Sequence, residues 1–181
     1  ISSALAVLFV YLITVRLILL GSGRGRDVGA EGPGTRQDLS VAVGGATGAL
    51  MLAFSDTFWF NAVEAEVYGF SILLMVATVW LGLRWMDRAE EPGSLRLLIF
   101  TAYLMGLAGG LHLLCLLAVP TLAVLIWFRD RSALKDPKLW AITPLLFALG
   151  YSTYIALMIR SGLDPAIDEN DPETWAGFMS F

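Results

Sequence analysis

The chain has 181 residues, of which 57% are hydrophobic and only 15% charged, and its mean hydropathy is +0.71. A soluble domain carries nearer a quarter charged residues, and here the charges are bunched between long apolar runs, so an ordinary soluble fold is excluded and an all-α polytopic integral membrane protein is expected. The net charge of −4 comes without any basic cluster interleaved with aromatics, which sets nucleic acid aside as a partner.

Taken in order, the apolar runs predict about six transmembrane helices, at about 3–20, 39–54, 67–85, 95–109, 111–128 and 139–159. In the first, Arg16 lies near enough to one end to snorkel toward the interface. Residues 21–38 are rich in glycine, with Arg24, Arg26 and Arg36, and read as a flexible loop. Their Gly-Ser-Gly-Arg-Gly-Arg start lacks the lysine, strand and helix start of a phosphate cradle, so it reads as linker. The second span carries Gly44-x-x-x-Gly48, a small-residue spacing that lets a neighbouring helix approach closely. Residues 87–93 make a short turn after the third span. The run 95–128 is too long for one crossing, since about 20 residues traverse the hydrocarbon. Gly106, Gly109, Gly110 and His112 mark a hairpin that divides it, with a span plus a re-entrant segment as the alternative, and Pro120 is expected to kink the second half. The lone cysteine, Cys115, lies in this apolar run and offers neither a disulfide framework nor a cysteine metal site. Residues 129–138 form a charged loop before the last span. The tail 161–181 carries Asp164, Asp168, Glu169, Asp171 and Glu173 and reads as a solvated segment opening a non-cytoplasmic loop or domain. With no leader-like region at Ile1 and no cap at Phe181, the chain reads as an internal piece of a longer protein.

Lysines and arginines set the expected orientation. The loops 21–38, 87–93 and 129–138, with the span ends beside them, hold every Lys and Arg except Arg160. The positive-inside rule places these in the cytoplasm. The stretch 56–68, the turn at Gly110 and His112, and the acidic tail then share the outer side.

That outer stretch holds Asp56, Trp59, Asn61, Glu64, Glu66 and Tyr68 between two apolar runs. A carboxylate costs roughly 2.5–3.5 kcal/mol if carried to the bilayer centre. The stretch is therefore expected to be a short loop or helix end that faces a polar cavity at the membrane surface. If 56–68 were one helix, Thr57, Asn61, Glu64 and Tyr68 would share a face, and Trp59, Val63 and Glu66 another. Glu64 and Glu66 would then point apart, and both could serve one site only on an extended or irregular backbone. Carboxylates so placed can ligate a divalent cation, move a proton or bind sugar hydroxyls. Trp59 and Tyr68 suit stacking on a sugar ring or the interfacial aromatic belt, and for Trp59 alone the belt is favoured. His112, the only histidine, can bond a backbone group and stay neutral, or it can contact a lipid phosphate or orient a carboxylate.

Three blocks in order carry a resemblance. They are Phe58-Trp59-Phe60-Asn61-Ala62-Val63-Glu64-Ala65-Glu66-Val67-Tyr68, then Ala102 to Leu107 with Gly110-Leu111-His112-Leu113-Leu114, and finally Asp168-Glu169-Asn170-Asp171-Pro172. Over essentially its whole length the chain resembles the membrane family catalogued as domain of unknown function 2723, which is similar to protein O-mannosyltransferases and other GT-C glycosyltransferases. The resemblance implies a GT-C-like membrane module in the bacterial cytoplasmic membrane with its active side outward. It implies transfer of a sugar from a polyprenyl-phosphate carrier to a protein or glycan hydroxyl. It places Glu64 and Glu66 at a second acidic motif with a catalytic role, with Asp56, Trp59, Asn61, Tyr68 and His112 as candidate substrate-binding residues. A divalent cation is the one cofactor to consider, held by Glu64 and Glu66 if at all. The family's first acidic loop, which carries the principal acid, maps ahead of Ile1, so this segment by itself is expected to be inactive. A transporter or flippase using the same acids for an ion or a headgroup is the alternative, and a non-catalytic scaffold is a third.

Overall fold

A computed structural model describes residues 1–23, 36–63, 67–166 and 172–180. Helices account for nearly all of them, and no strand occurs among the described residues. In chain order they are α1 (Ser2–Gly21), α2 (Arg36–Ala53), α3 (Asp56–Val63), α4 (Tyr68–Asp87) and α5 (Leu95–Gly109). There follow a 3-10 turn (Leu113–Leu117), α6 (Ala118–Arg129), a second 3-10 turn (Arg131–Lys135) and α7 (Pro137–Tyr151). A third 3-10 turn (Ser152–Tyr154) continues into α8 (Ile155–Ser161), and α9 (Trp175–Ser180) ends the chain.

Three helical stretches are long and apolar enough to cross a membrane: Ser2–Gly21, Tyr68–Asp87 and Pro137–Ser161. A fourth arises if α2 and α3, bent by 62° at their junction, count as one broken span. The other two expected spans exist as apolar helices but are short. α5 has 15 residues, which at 1.5 Å per residue is about 22 Å against a hydrocarbon core of about 30 Å. Three helices, or four with the bent pair, thus have the length and composition of a span among the described residues, where six were expected.

Several local readings change. Pro120 does not kink a helix: it is the third residue of α6, in the first turn, where its missing N–H would have had no helical partner anyway. The proline inside a helix is Pro144 in α7. Arg16 does not snorkel. Its Nε donates to Asp87 Oδ1 at 2.9 Å and its Nη2 closes an ion pair with the same carboxylate, the side chains being 12% and 16% exposed. The charged loop 129–138 is ordered by two aspartates: Asp130 accepts from Ser132 N–H and Asp136 from Lys138 N–H, capping the second 3-10 turn and α7. The tail is not wholly solvated either, since Phe178 is buried and its ring lies 5.1 Å from that of Tyr154. The helix after the glycine-rich loop starts at Arg36, earlier than the expected 39.

Small residues set how the helices approach. Gly45 of α2 sits against Val15 and Tyr11 of α1, with Gly44 near Ile18 and Gly48 near Thr14. The Gly44-x-x-x-Gly48 stripe thus serves packing within the chain. The closest crossing is α5 on α7: a Cβ at Gly106 would fall 2.1 Å from the Phe147 carbonyl oxygen, and one at Gly150 would fall 2.4 Å from that of Tyr103. Backbone meets backbone there, so neither position has room for a side chain.

The contacts sort the bundle into two ends. One holds the ion pairs Arg16–Asp87, Arg84–Asp87 and Arg129–Glu90 with the core around Trp85, Leu98 and Leu139. The other holds α3, the turn after α5, and α9.

Candidate functional site

The site is assembled at the second end, where α3 meets α4 and α5 gives way to a 3-10 turn. α3 is pinned by Phe58, which is buried against a cluster that includes Ala6 of α1 and Val76 of α4. This anchor leaves the rest of α3 outward-facing. α3 stops at Val63 and α4 starts at Tyr68, so the single helical face shared by Thr57, Asn61 and Tyr68 does not form. Glu64 and Glu66 lie outside the described residues.

The remaining candidates divide in two. Asp56, Trp59 and Asn61 are on α3. Asp56 is an exposed carboxylate in the first turn, where the helix dipole favours negative charge. Asn61 donates from Nδ2 to the Thr57 carbonyl at 2.9 Å, so its amide is tied into its own helix. Trp59 is 57% exposed and stacks on exposed Phe54, with centroids 6.1 Å apart and planes at 12°. Such an exposed stacked pair suits the interfacial aromatic belt.

Tyr68 and His112 form the second group, and the fold brings them together across 44 residues of sequence. Their ring centroids are 5.2 Å apart with planes at 56°. α5 ends at Gly109, the chain turns through Gly110 and Leu111, and His112 takes an extended backbone with φ −163° and ψ 132°. Its Nδ1 accepts from Leu114 N–H at 3.1 Å, capping the 3-10 turn. In the neutral ring the proton therefore sits on Nε2, which is left as a donor. Below this pair lies Ser71, one turn along α4 from Tyr68. Its hydroxyl is buried and finds no partner among the described residues. Cys115, three residues on from His112, is buried against Leu74 and Ala108.

A feature not anticipated from the sequence adjoins this group. The rings of Phe147, Tyr151, Tyr154, Phe178 and Trp175 stack in series at centroid distances of 5.1–6.3 Å. Gly109 and Gly110 lie against it, with Tyr154 Cβ 3.4 Å from the position a Gly110 side chain would take. The spacing of 147, 151 and 154 by four and three residues is a helix-face signal that was there to be read. Among the described residues no three His, Cys, Asp or Glu side chains gather as metal ligands; Glu64 and Glu66, the pair expected to hold a cation if any does, lie outside them.

No curated protein and no solved structure matches the chain. The family described as Protein O-mannosyl-transferase TMEM260 N-terminal domain matches residues 1–135, which takes in α1 through the second 3-10 turn and so both Tyr68 and His112. With its apolar helical bundle and that match over well more than half its length, the chain belongs to this family of membrane-embedded, O-mannosyltransferase-like transferases.

Proposed function

We propose that the chain forms part of a membrane glycosyltransferase that moves a mannose-like sugar from a polyprenyl-phosphate carrier to a protein or glycan hydroxyl on the non-cytoplasmic side. The observation that carries this reading is the meeting of Tyr68 and His112 at the end opposite the arginine-rich loops. A single residue, Val67, separates Tyr68 from Glu66, so the acidic pair adjoins this contact in the sequence. The family match supplies the reaction class.

In this reading a carboxylate acting as general base takes the proton of the acceptor hydroxyl. The oxygen attacks the anomeric carbon, the bond from that carbon to the phosphate oxygen breaks, and polyprenyl phosphate departs. Glu64 and Glu66 hold the acceptor. His112, its Nδ1 already committed to Leu114, offers Nε2–H to the departing phosphate oxygen, where negative charge develops. Tyr68 fixes the imidazole plane. Trp59 borders the site from the interface. The arginine-rich loops face the cytoplasm, by the positive-inside rule, in a bacterial inner membrane.

The test is transfer by the full-length protein in proteoliposomes, offered mannosyl-phosphopolyprenol or nucleotide-linked mannose with a Ser/Thr-rich peptide as acceptor. Mannosylated peptide from the lipid-linked donor alone is the expected result. Transfer from the nucleotide sugar without the lipid donor would overturn the assignment of the carrier. Absence of transfer from either would move the acids to ion or headgroup binding in a transporter.

A further inference from the structure

At the arginine-rich end, α1, α4 and α6 line an open cleft of about 1100 Å3, a little above the ~300–1,000 Å3 typical of small-ligand pockets. One wall is aliphatic, from Leu12, Val15 and Leu19 of α1, and α1 is a candidate span with hydropathy 2.4. The other wall is ionic. Arg16, Arg84 and Arg129 line it together with Asp87 and Glu90, so among the described residues three guanidiniums meet two carboxylates and one positive charge is in excess.

Two of these arginines keep donors in reserve. Arg84 makes a 3.5 Å contact from Nη1 to Asp87 and lies over the Trp80 ring at 5.8 Å, which leaves most of a guanidinium's five N–H groups unspent. Arg129 uses Nε on the Met86 carbonyl and Nη2 on Glu90, leaving Nη1. Planar forks of this kind bind phosphate oxygens in pairs.

We propose that this cavity binds an anionic phospholipid, its phosphate between Arg84 and Arg129 and an acyl chain along Leu12, Val15 and Leu19. The excess positive charge selects an anionic headgroup over a zwitterionic one, which brings its own cation. The aliphatic wall selects a lipid over free phosphate, because an ion gains nothing from apolar surface. The site lies at the opposite end of the bundle from Tyr68 and His112, and the inference does not depend on the transfer reaction.

The experiment is native mass spectrometry of the full-length protein in nanodiscs of phosphatidylcholine with phosphatidylglycerol, then in detergent with inorganic phosphate added. Phosphatidylglycerol should be retained over phosphatidylcholine, and Arg84→Gln should weaken that preference about fivefold, the factor expected for one basic group at a lipid headgroup. Arg96→Gln, an arginine outside the cavity, should leave it unchanged. Equal retention of the two lipids by the wild-type protein would overturn the proposal, as would displacement by inorganic phosphate or an unaltered preference in Arg84→Gln. If Arg84→Gln fails to fold, Arg84→Lys reads the same site: charge kept and fork lost should give a partial loss, and no loss would count against it.

Discussion

His112 serves backbone structure and a candidate site with different atoms, which makes the two roles separable by substitution. Asparagine can accept the Leu114 N–H as the imidazole does, while alanine cannot. H112A should therefore lower stability by about 1 kcal/mol, the usual cost of a lost cap, and H112N by much less, as read by thermal unfolding in detergent. If Nε2–H serves the departing phosphate, H112N should still lose most of its transfer rate; a stable H112N with wild-type turnover would leave the histidine a cap and nothing more. At the other end Asp130 is held below the usual carboxylate range, first by the Ser132 hydroxyl at 2.5 Å and then by the Ser132 N–H. A depressed value in the folded state stabilises the fold above the unfolded carboxylate value, and that stability is lost as pH falls through the folded one. S132A, lacking the hydroxyl, should flatten this acid-side slope in melting temperature; an unchanged slope would assign it to other carboxylates. Asp87 carries more weight, because Arg16 is largely buried beside it. D87N should cost stability by removing the carboxylate that Arg16 and Arg84 share, and the R16L/D87N pair should cost less than the sum of its parts in a double-mutant cycle.

Among the elements, the α5–α7 crossing is the least forgiving. G106A would drive a methyl into the Phe147 carbonyl, and backbone cannot swing aside as a side chain can. A loss of about 1–3 kcal/mol is expected. G109A, which meets only Tyr151 ring atoms at 3.7 Å, should be close to neutral. Equal effects would mean that the helices do not touch there. The apolar runs announced helices, because hydrophobicity is summed over many positions, but not which of them are long enough to cross a membrane: three are, or four with the bent pair. The break between α3 and α4 was not legible. Residues 56–68 carry no glycine or proline to stop a helix, while the structure ends α3 at Val63, with Phe58 drawn into the α1–α4 core, and starts α4 at Tyr68. Pro120 was also misread. A proline breaks an α-helix only where α-helical turns precede it, and here only the 3-10 stretch Leu113–Leu117 does, Pro120 being in the first turn of α6.

For the molecule as a whole, the sequence pattern separated two ends, one rich in arginine and one in acids and aromatics, and the contacts keep them apart. The meeting of Tyr68 with His112 joins residues far apart in the chain, so no local spacing could announce it. The arginine–carboxylate cluster was likewise hidden, since Arg16 and Asp87 are 71 residues apart. In the function proposed above, a lipid-linked sugar is transferred at Tyr68 and His112 with the acids that precede Tyr68 in sequence. The most direct measurement is mannosyl transfer from mannosyl-phosphopolyprenol by full-length wild-type protein and by the E64Q/E66Q double variant, matched for folding by thermal melt. The account predicts transfer by the wild type and its loss in the variant at an unchanged melting temperature. Wild-type turnover in the double variant would contradict it.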